Sequence, residues 1–199
     1  QGRQGPNGPQ GNQGNQGPQG IQGATGSGQG QIFYFNESIV QIYVDGGVND
    51  LNEVSNVPTA SGQVIVTTSL TALQNNKLVS RFITPAGALA TIPFIPAGEQ
   101  QFHTHWTLNS VNDQIQVSAK IIRADSTGTP IATIGTTNPE LVGWNLNNTT
   151  PVSQILSVYT PQTAIDPTDR VIVELYLTND DNAIRTVKFL SLIHISEPT

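Results

Sequence analysis

Apolar positions are arranged in two unlike ways along the chain, and the change falls near residue 32. Before it glycine recurs every third residue, at Gly2, Gly5, Gly8, Gly11, Gly14, Gly17, Gly20, Gly23 and Gly26, without a miss. From Ile32 onward, short stretches of β-branched and aromatic residues alternate with polar ones. Gly, Pro, Asn and Asp clusters separate them, which is the pattern of strands joined by turns. Strands are predicted over Ile32–Val44, Gln63–Ser69, Lys77–Thr84, Ala88–Phe94, Gln100–Ser110, Gln114–Ala124, Pro130–Thr133, Pro151–Tyr159, Arg170–Thr178 and Ile184–Phe189. Turns are expected at Pro85–Gly87, Pro96–Gly98, Asn112–Asp113, Ser126–Gly128 and Asn179–Asn182, and Asp45–Gly62 reads as a long polar loop. No stretch sustains a helical apolar period. Short strands at this spacing predict an all-β fold, a sandwich or a barrel.

The alternation also assigns faces, because successive side chains of a strand point to opposite sides. Phe102, Thr104, Trp106 and Leu108 share one face; His103, His105 and Thr107 share the other. Val171, Val173, Leu175 and Leu177 point one way, and Ile172, Glu174 and Tyr176 point the other. The first set in each strand is expected in the core. The second is expected on the side available to a neighbouring subunit. The short Asp180–Asp181 connection predicts an antiparallel hairpin between Arg170–Thr178 and Ile184–Phe189.

The glycine period has one strict physical cause. In a collagen triple helix every third residue sits at a crowded axis where only glycine fits. Pro6, Pro9 and Pro18 occupy X positions, where their fixed φ suits the polyproline conformation. Gln4, Gln10, Gln13, Gln16, Gln19 and Gln22 occupy Y positions, and no proline does, so prolyl hydroxylation would have no substrate here. At ~3.1 Å per residue the repeat would extend roughly 80 Å. The competing reading is a disordered Gly/Gln/Asn linker. A triple helix requires three chains, so the expected assembly is a homotrimer. Gly28 and Gly30 break the register. The chain is thus expected to divide into a collagen-like stalk at 1–31, a β-sandwich head at 32–189 and a tail at 190–199.

Composition narrows the function classes. Only 11 % of residues are charged and the net charge is −6, with eight basic residues. That balance argues against nucleic acid or an anionic membrane surface as partner. No apolar run approaches the length of a membrane-spanning helix, so membrane insertion is not expected. The chain has no cysteine, which removes disulfides, zinc–thiolate centres and cysteine nucleophiles. It has no methionine, so it is expected to be part of a longer product. Gly-x-Ser-x-Gly and His-Glu-x-x-His are absent, and no glycine-rich phosphate loop lies outside the repeat. No catalytic residue and no cofactor are therefore assigned, and the expected function is not enzymatic.

The most distinctive short motif is His103–Thr104–His105. Two imidazoles at i and i+2 project from one face of a strand and could ligate a borderline metal ion. In a trimer three such pairs would meet around the axis, a pattern that resembles the His-x-His iron site of some phage fibre tips. A pair of polar surface histidines is the plainer alternative. Trp144 lies in a loop-like stretch with Asn145 and Asn147 and is the candidate platform for stacking a sugar ring, whereas Trp106 sits on an apolar face and is expected in the core. The acidic clusters Asp45–Asp50–Glu53 and Asp180–Asp181 carry hard oxygen ligands that would suit calcium, although neither has the EF-hand spacing and turns favour Asp by themselves. Asn36, Asn147 and Asn148 head glycosylation sequons of the kind an Asn/Thr-rich chain produces by chance.

The Gly-Pro-Gln/Gly-Asn-Gln stalk, the Ile95–Pro96–Ala97–Gly98 segment before a strand and the late Asp169–Arg170–Val171–Ile172–Val173 segment are similar to collagen-like fibre and virion proteins of tailed phages. That resemblance implies a trimeric, jelly-roll-like antiparallel β-sandwich head on an elongated stalk. It implies display on the virion surface, or otherwise outside the cell, and contact with a host-surface glycan or protein. Bacterial exosporium and surface filaments share the architecture, with Gly-Pro-Thr triplets more usual. Animal defence collagens with tumour-necrosis-factor-like heads share it too, with proline normal at Y. A dedicated carbohydrate-binding lectin head is the alternative function. The last ten residues, LSLIHISEPT, resemble a translated transposase sequencing adaptor at every position. The native sequence is accordingly expected to stop near Phe189. Leu190–Ile195 should merely prolong the last strand, and His194, Glu197 and Pro198 should carry no functional weight.

Overall fold

The computed structural model describes residues 33–35, 40–41, 51–54, 64–108, 114–142 and 150–191. The nine stalk glycines, Trp144, Asp45, Asp50, the three sequon asparagines and His194 lie outside the described residues.

Thirteen strands are described, and among the described residues there is no helix. They are β1 (Val40–Gln41), β2 (Leu51–Glu53), β3 (Val64–Leu70), β4 (Lys77–Ile83), β5 (Phe94–Ile95), β6 (Gly98–Leu108) and β7 (Ile115–Ala124). The chain continues through β8 (Pro130–Thr136), β9 (Glu140–Leu141), β10 (Val152–Thr160), β11 (Thr163–Ala164), β12 (Arg170–Asn179) and β13 (Arg185–Ser191). One sheet has the order β1-β2-β4-β12-β7-β8, with β9 also on β7; a second has the order β10-β6-β13-β3; β11 and β5 form a small pair. The pairings are antiparallel except for β2 on β4. The all-β expectation therefore holds, and the multiple antiparallel sheets form a sandwich.

The alternation read from the sequence explains what fills it. Leu70, Phe82, Trp106, Val117, Leu156, Leu175 and Phe189 come from strands of both large sheets and join one buried cluster. Aromatic rings organise its centre. Phe189 lies 5.0 Å from Trp106 and 6.0 Å from Phe82 between ring centroids. Phe35, two residues into the described chain, packs 4.5 Å from Phe82 and 6.2 Å from Phe102. The segment that follows the glycine repeat is thus fastened into the head's core. At one side of the sandwich β8 passes close over β10: a Cβ on Gly135 would sit 3.0 Å from Val158 Cγ2 and 3.2 Å from Thr160 Cγ2, so the missing side chain permits the approach.

Four expectations change. Of the expected strand Ala88–Phe94, residues 88–91 are a run of turns, closed by Ala88 N donating to Pro85 O, Ala90 N to Gly87 O and Ile92 N to Leu89 O, and only Phe94 is extended, in the two-residue β5. Prolines at 85 and 93, a glycine at φ 76° and alanines with little strand preference win over its apolar character. Inside Asp45–Gly62, Leu51–Glu53 is a short strand laid parallel on β4.

The third change is the expected hairpin of Arg170–Thr178 with Ile184–Phe189, which does not form. Both edges of β12 are taken, by β4 and β7, so β13 crosses to the other sheet and pairs with β3 and β6. Asn179 anchors the crossover: its Nδ2 donates to Thr71 O at 2.7 Å and to Ala183 O at 2.9 Å.

The fourth concerns the outward face of β12. Ile172 is buried with Ile83, Ile122 and Ala124, and Glu174 is buried beside Arg81, so this face is already covered within one chain. The tail expectation touches two described residues: Leu190 and Ser191 prolong β13 opposite Ile65 and Val64, and Leu190 is buried.

Candidate functional site

The outward face of the β10-β6-β13-β3 sheet carries the histidine motif. Trp106 and its neighbours turn inward: the indole is fully buried, its Nε1 donates to Thr104 Oγ1 at 2.8 Å, and Thr104 Oγ1 donates in turn to Gln154 O at 3.0 Å. The two-residue period then forces His103 and His105 outward. Register places His103 beside Ile155 and His105 beside Ser153, both from β10. Thr107, next along the row, is paired with Lys188 of β13.

The two imidazoles differ. His103 is exposed, while His105 is half-buried. Burial, and then the neighbouring charge on His103, hold the His105 pKa below its ordinary value. The unfolded chain therefore binds a proton at this residue more readily than the folded one. Stability from this source is complete above the ordinary histidine pKa, about 6.5, and falls as the pH drops below it. We expect the head to melt at lower temperature at pH 5 than at pH 7.5. His105→Asn should remove part of that difference and His103→Asn less, as thermal melts across that range would show. Equal pH dependence in all three proteins would refute the assignment.

The acidic residues are occupied in structural ways. Asp181 pairs with Arg185, whose Nε donates to it at 2.7 Å, and Asp180 accepts from Gln116 Nε2 at 2.6 Å. Glu53 faces the buried Arg170 guanidinium at 3.6 Å. The Asp180–Asp181 pair thus serves the crossover between β12 and β13. Among the described residues no three His, Asp or Glu side chains gather as a metal-binding group.

Two polar clusters were not singled out in the sequence. In one, Arg170 is buried, and its Nε donates to Thr84 O at 2.8 Å. Nearby, Arg123 Nε donates to Asp169 at 2.6 Å, and Asp169 also accepts from the Asp166 backbone at 2.7 Å. The second centres on Glu174, which meets Arg81 Nε at 2.9 Å, Lys120 Nζ at 3.9 Å and the Tyr176 hydroxyl at 2.5 Å. Burial, with the hydrogen bond and negative charge of Glu174 behind it, pushes the Tyr176 pKa upward, so the phenol stays a donor. The available signal was a lone charge inside an apolar strand, Val171–Ile172–Val173–Glu174–Leu175. Neither cluster offers an arrangement of nucleophile, base and open position that would suggest catalysis. No family model matches the chain, and no curated protein matches it.

Proposed function

We propose that this chain is a structural, trimeric fibre protein. Its β-sandwich head caps a collagen-like stalk, sets the register of the three stalk chains and meets a host surface at the exterior of a particle or cell. The observation that carries the reading is the unbroken glycine period from Gly2 to Gly26, followed by Phe33 and Phe35 packed against the core of the head. The triplets from Gly2 to Gly26 carry no proline at Y, so they contribute little by themselves to holding three chains in register. A head that associates supplies that register by raising the local concentration of the strands.

Strand order supports a jelly-roll reading of the head. Numbering β3, β4, β6, β7, β8, β10, β12 and β13 from one to eight, the two sheets run 1-8-3-6 and 2-7-4-5. That is the double Greek-key order of an eight-stranded jelly roll.

Gly14→Ala tests the stalk. Three methyl groups would enter the axis where only hydrogens fit. The melt of the polyproline-type circular dichroism signal should fall sharply, and the head's own transition should hardly move. If neither transition shifts, residues 1–31 are a linker and the fibre reading fails.

A further inference from the structure

We infer that the outward face of β10 and β6 is the surface on which a second copy of this chain packs, an inference that rests on the trimeric reading above. β10 is an edge strand of its sheet. It runs nine residues, Val152–Thr160, without a proline or a charge. Natural proteins usually blunt such an edge, and a long uncharged one is a template for another chain. Along β6, Gln101–Thr107 also lacks Lys, Arg, Asp and Glu. From this face Tyr159 projects with 73 % of its surface exposed and Ile155 with 46 %. They stand beside Glu99 and His103 in the register. Glu140 reaches toward β10 from β9 but accepts from Gln154 Nε2 at 2.9 Å.

The remaining surfaces fit less well. The outward face of β12 offers little exposed apolar surface, because Ile172 and its neighbours Ile83 and Ile122 are buried and Glu174 is engaged with Arg81. The other edge strand, β3, is also uncharged and leaves Ile65 51 % exposed, but it is shorter, at seven residues, and the exposed Lys188 of β13 stands beside its Thr67. Leu73 and Ile184 are exposed singly in turns. Interface centres are depleted in charge and favour tyrosine; the β10–β6 face presents Tyr159, and apart from Glu99 at its end it has no Asp, Glu, Lys or Arg.

The occupant follows from the chain before residue 33. A Gly-X-Y repeat forms its helix only with two further copies. Phe35 ties the start of the head into the core formed by Phe82, Phe102 and Phe189, so the repeat delivers three heads side by side. Tethered heads need only a modest apolar surface to associate.

The absence of cysteine allows a direct test on the full chain. Ile155→Cys and, as comparison, Ile131→Cys on β8 are each labelled with a benzophenone maleimide, which inserts into any neighbouring C–H bond on illumination. Ile131 is 52 % exposed, so both sites label. We expect interchain products on a denaturing gel from position 155 and none from position 131. Interchain products from 131, or none from 155 while the chain sediments as a trimer, overturn this interface and leave the fibre reading standing. A chain that sediments as a monomer overturns both.

Discussion

Alanine at Phe189 is expected to cost the head about 3–5 kcal/mol of unfolding free energy. The ring is 1 % exposed and sits where both sheets meet. It lies tilted against Trp106 at 5.0 Å and edge-on to Phe82 and Phe35 at 6.0 and 6.4 Å. Removing it deletes a large apolar group and three ring contacts at once. The cavity cannot readily close, because β13 is hydrogen-bonded on both sides, to β3 and to β6. A domain of this size should lose roughly 10 °C or more in melting temperature. Phe189→Leu, which keeps much of the volume, should lose less than half as much. Urea denaturation of the two variants checks the ordering. A loss under about 1 kcal/mol for the alanine would mean that the ring packing contributes far less than core truncations usually do.

Much of this core was legible before any coordinates. Period-two alternation placed Phe102, Thr104, Trp106 and Leu108 inward and both histidines outward, because one buried face fixes the register of a strand. What failed was pairing. The Asp180–Asp181 connection has the length of a hairpin, but whether it is one depends on whether β12 has a free edge, and both of its neighbours come from far along the chain. Ala88–Phe94 misled for a different reason: its composition is apolar, yet Pro85 and Gly87 before it and Pro93 within it impose turns and leave only Phe94 extended. The histidine face was readable as a face. Its neighbours Ile155 and Tyr159 were not, since cross-strand partners follow from a register that local sequence does not specify.

The expectation that Ile172, Glu174 and Tyr176 face a neighbouring subunit gives way to a sharper one: truncating Glu174 to alanine should destabilise the head by about 3–5 kcal/mol, the usual cost of removing one partner from a buried ion pair. Glu174 is 5 % exposed and Arg81 8 %. Their atoms meet at 2.9 Å, and the same carboxylate accepts from the Tyr176 hydroxyl. Without it, the buried Arg81 guanidinium loses the carboxylate that meets its Nε, and the partly buried Tyr176 phenol loses its acceptor. Lys120, at 3.9 Å and one-third exposed, can turn to water and should contribute little. The pair itself need not be a net source of stability, because two desolvated charges offset most of their attraction. Arg81→Met with Glu174→Leu should therefore lie near the parent or above it, far from the sum of the two single losses. Urea unfolding of the singles and the double closes the cycle. Additive losses would show that the two charges act independently, and the buried pair would then have no special part in holding β4 against β12.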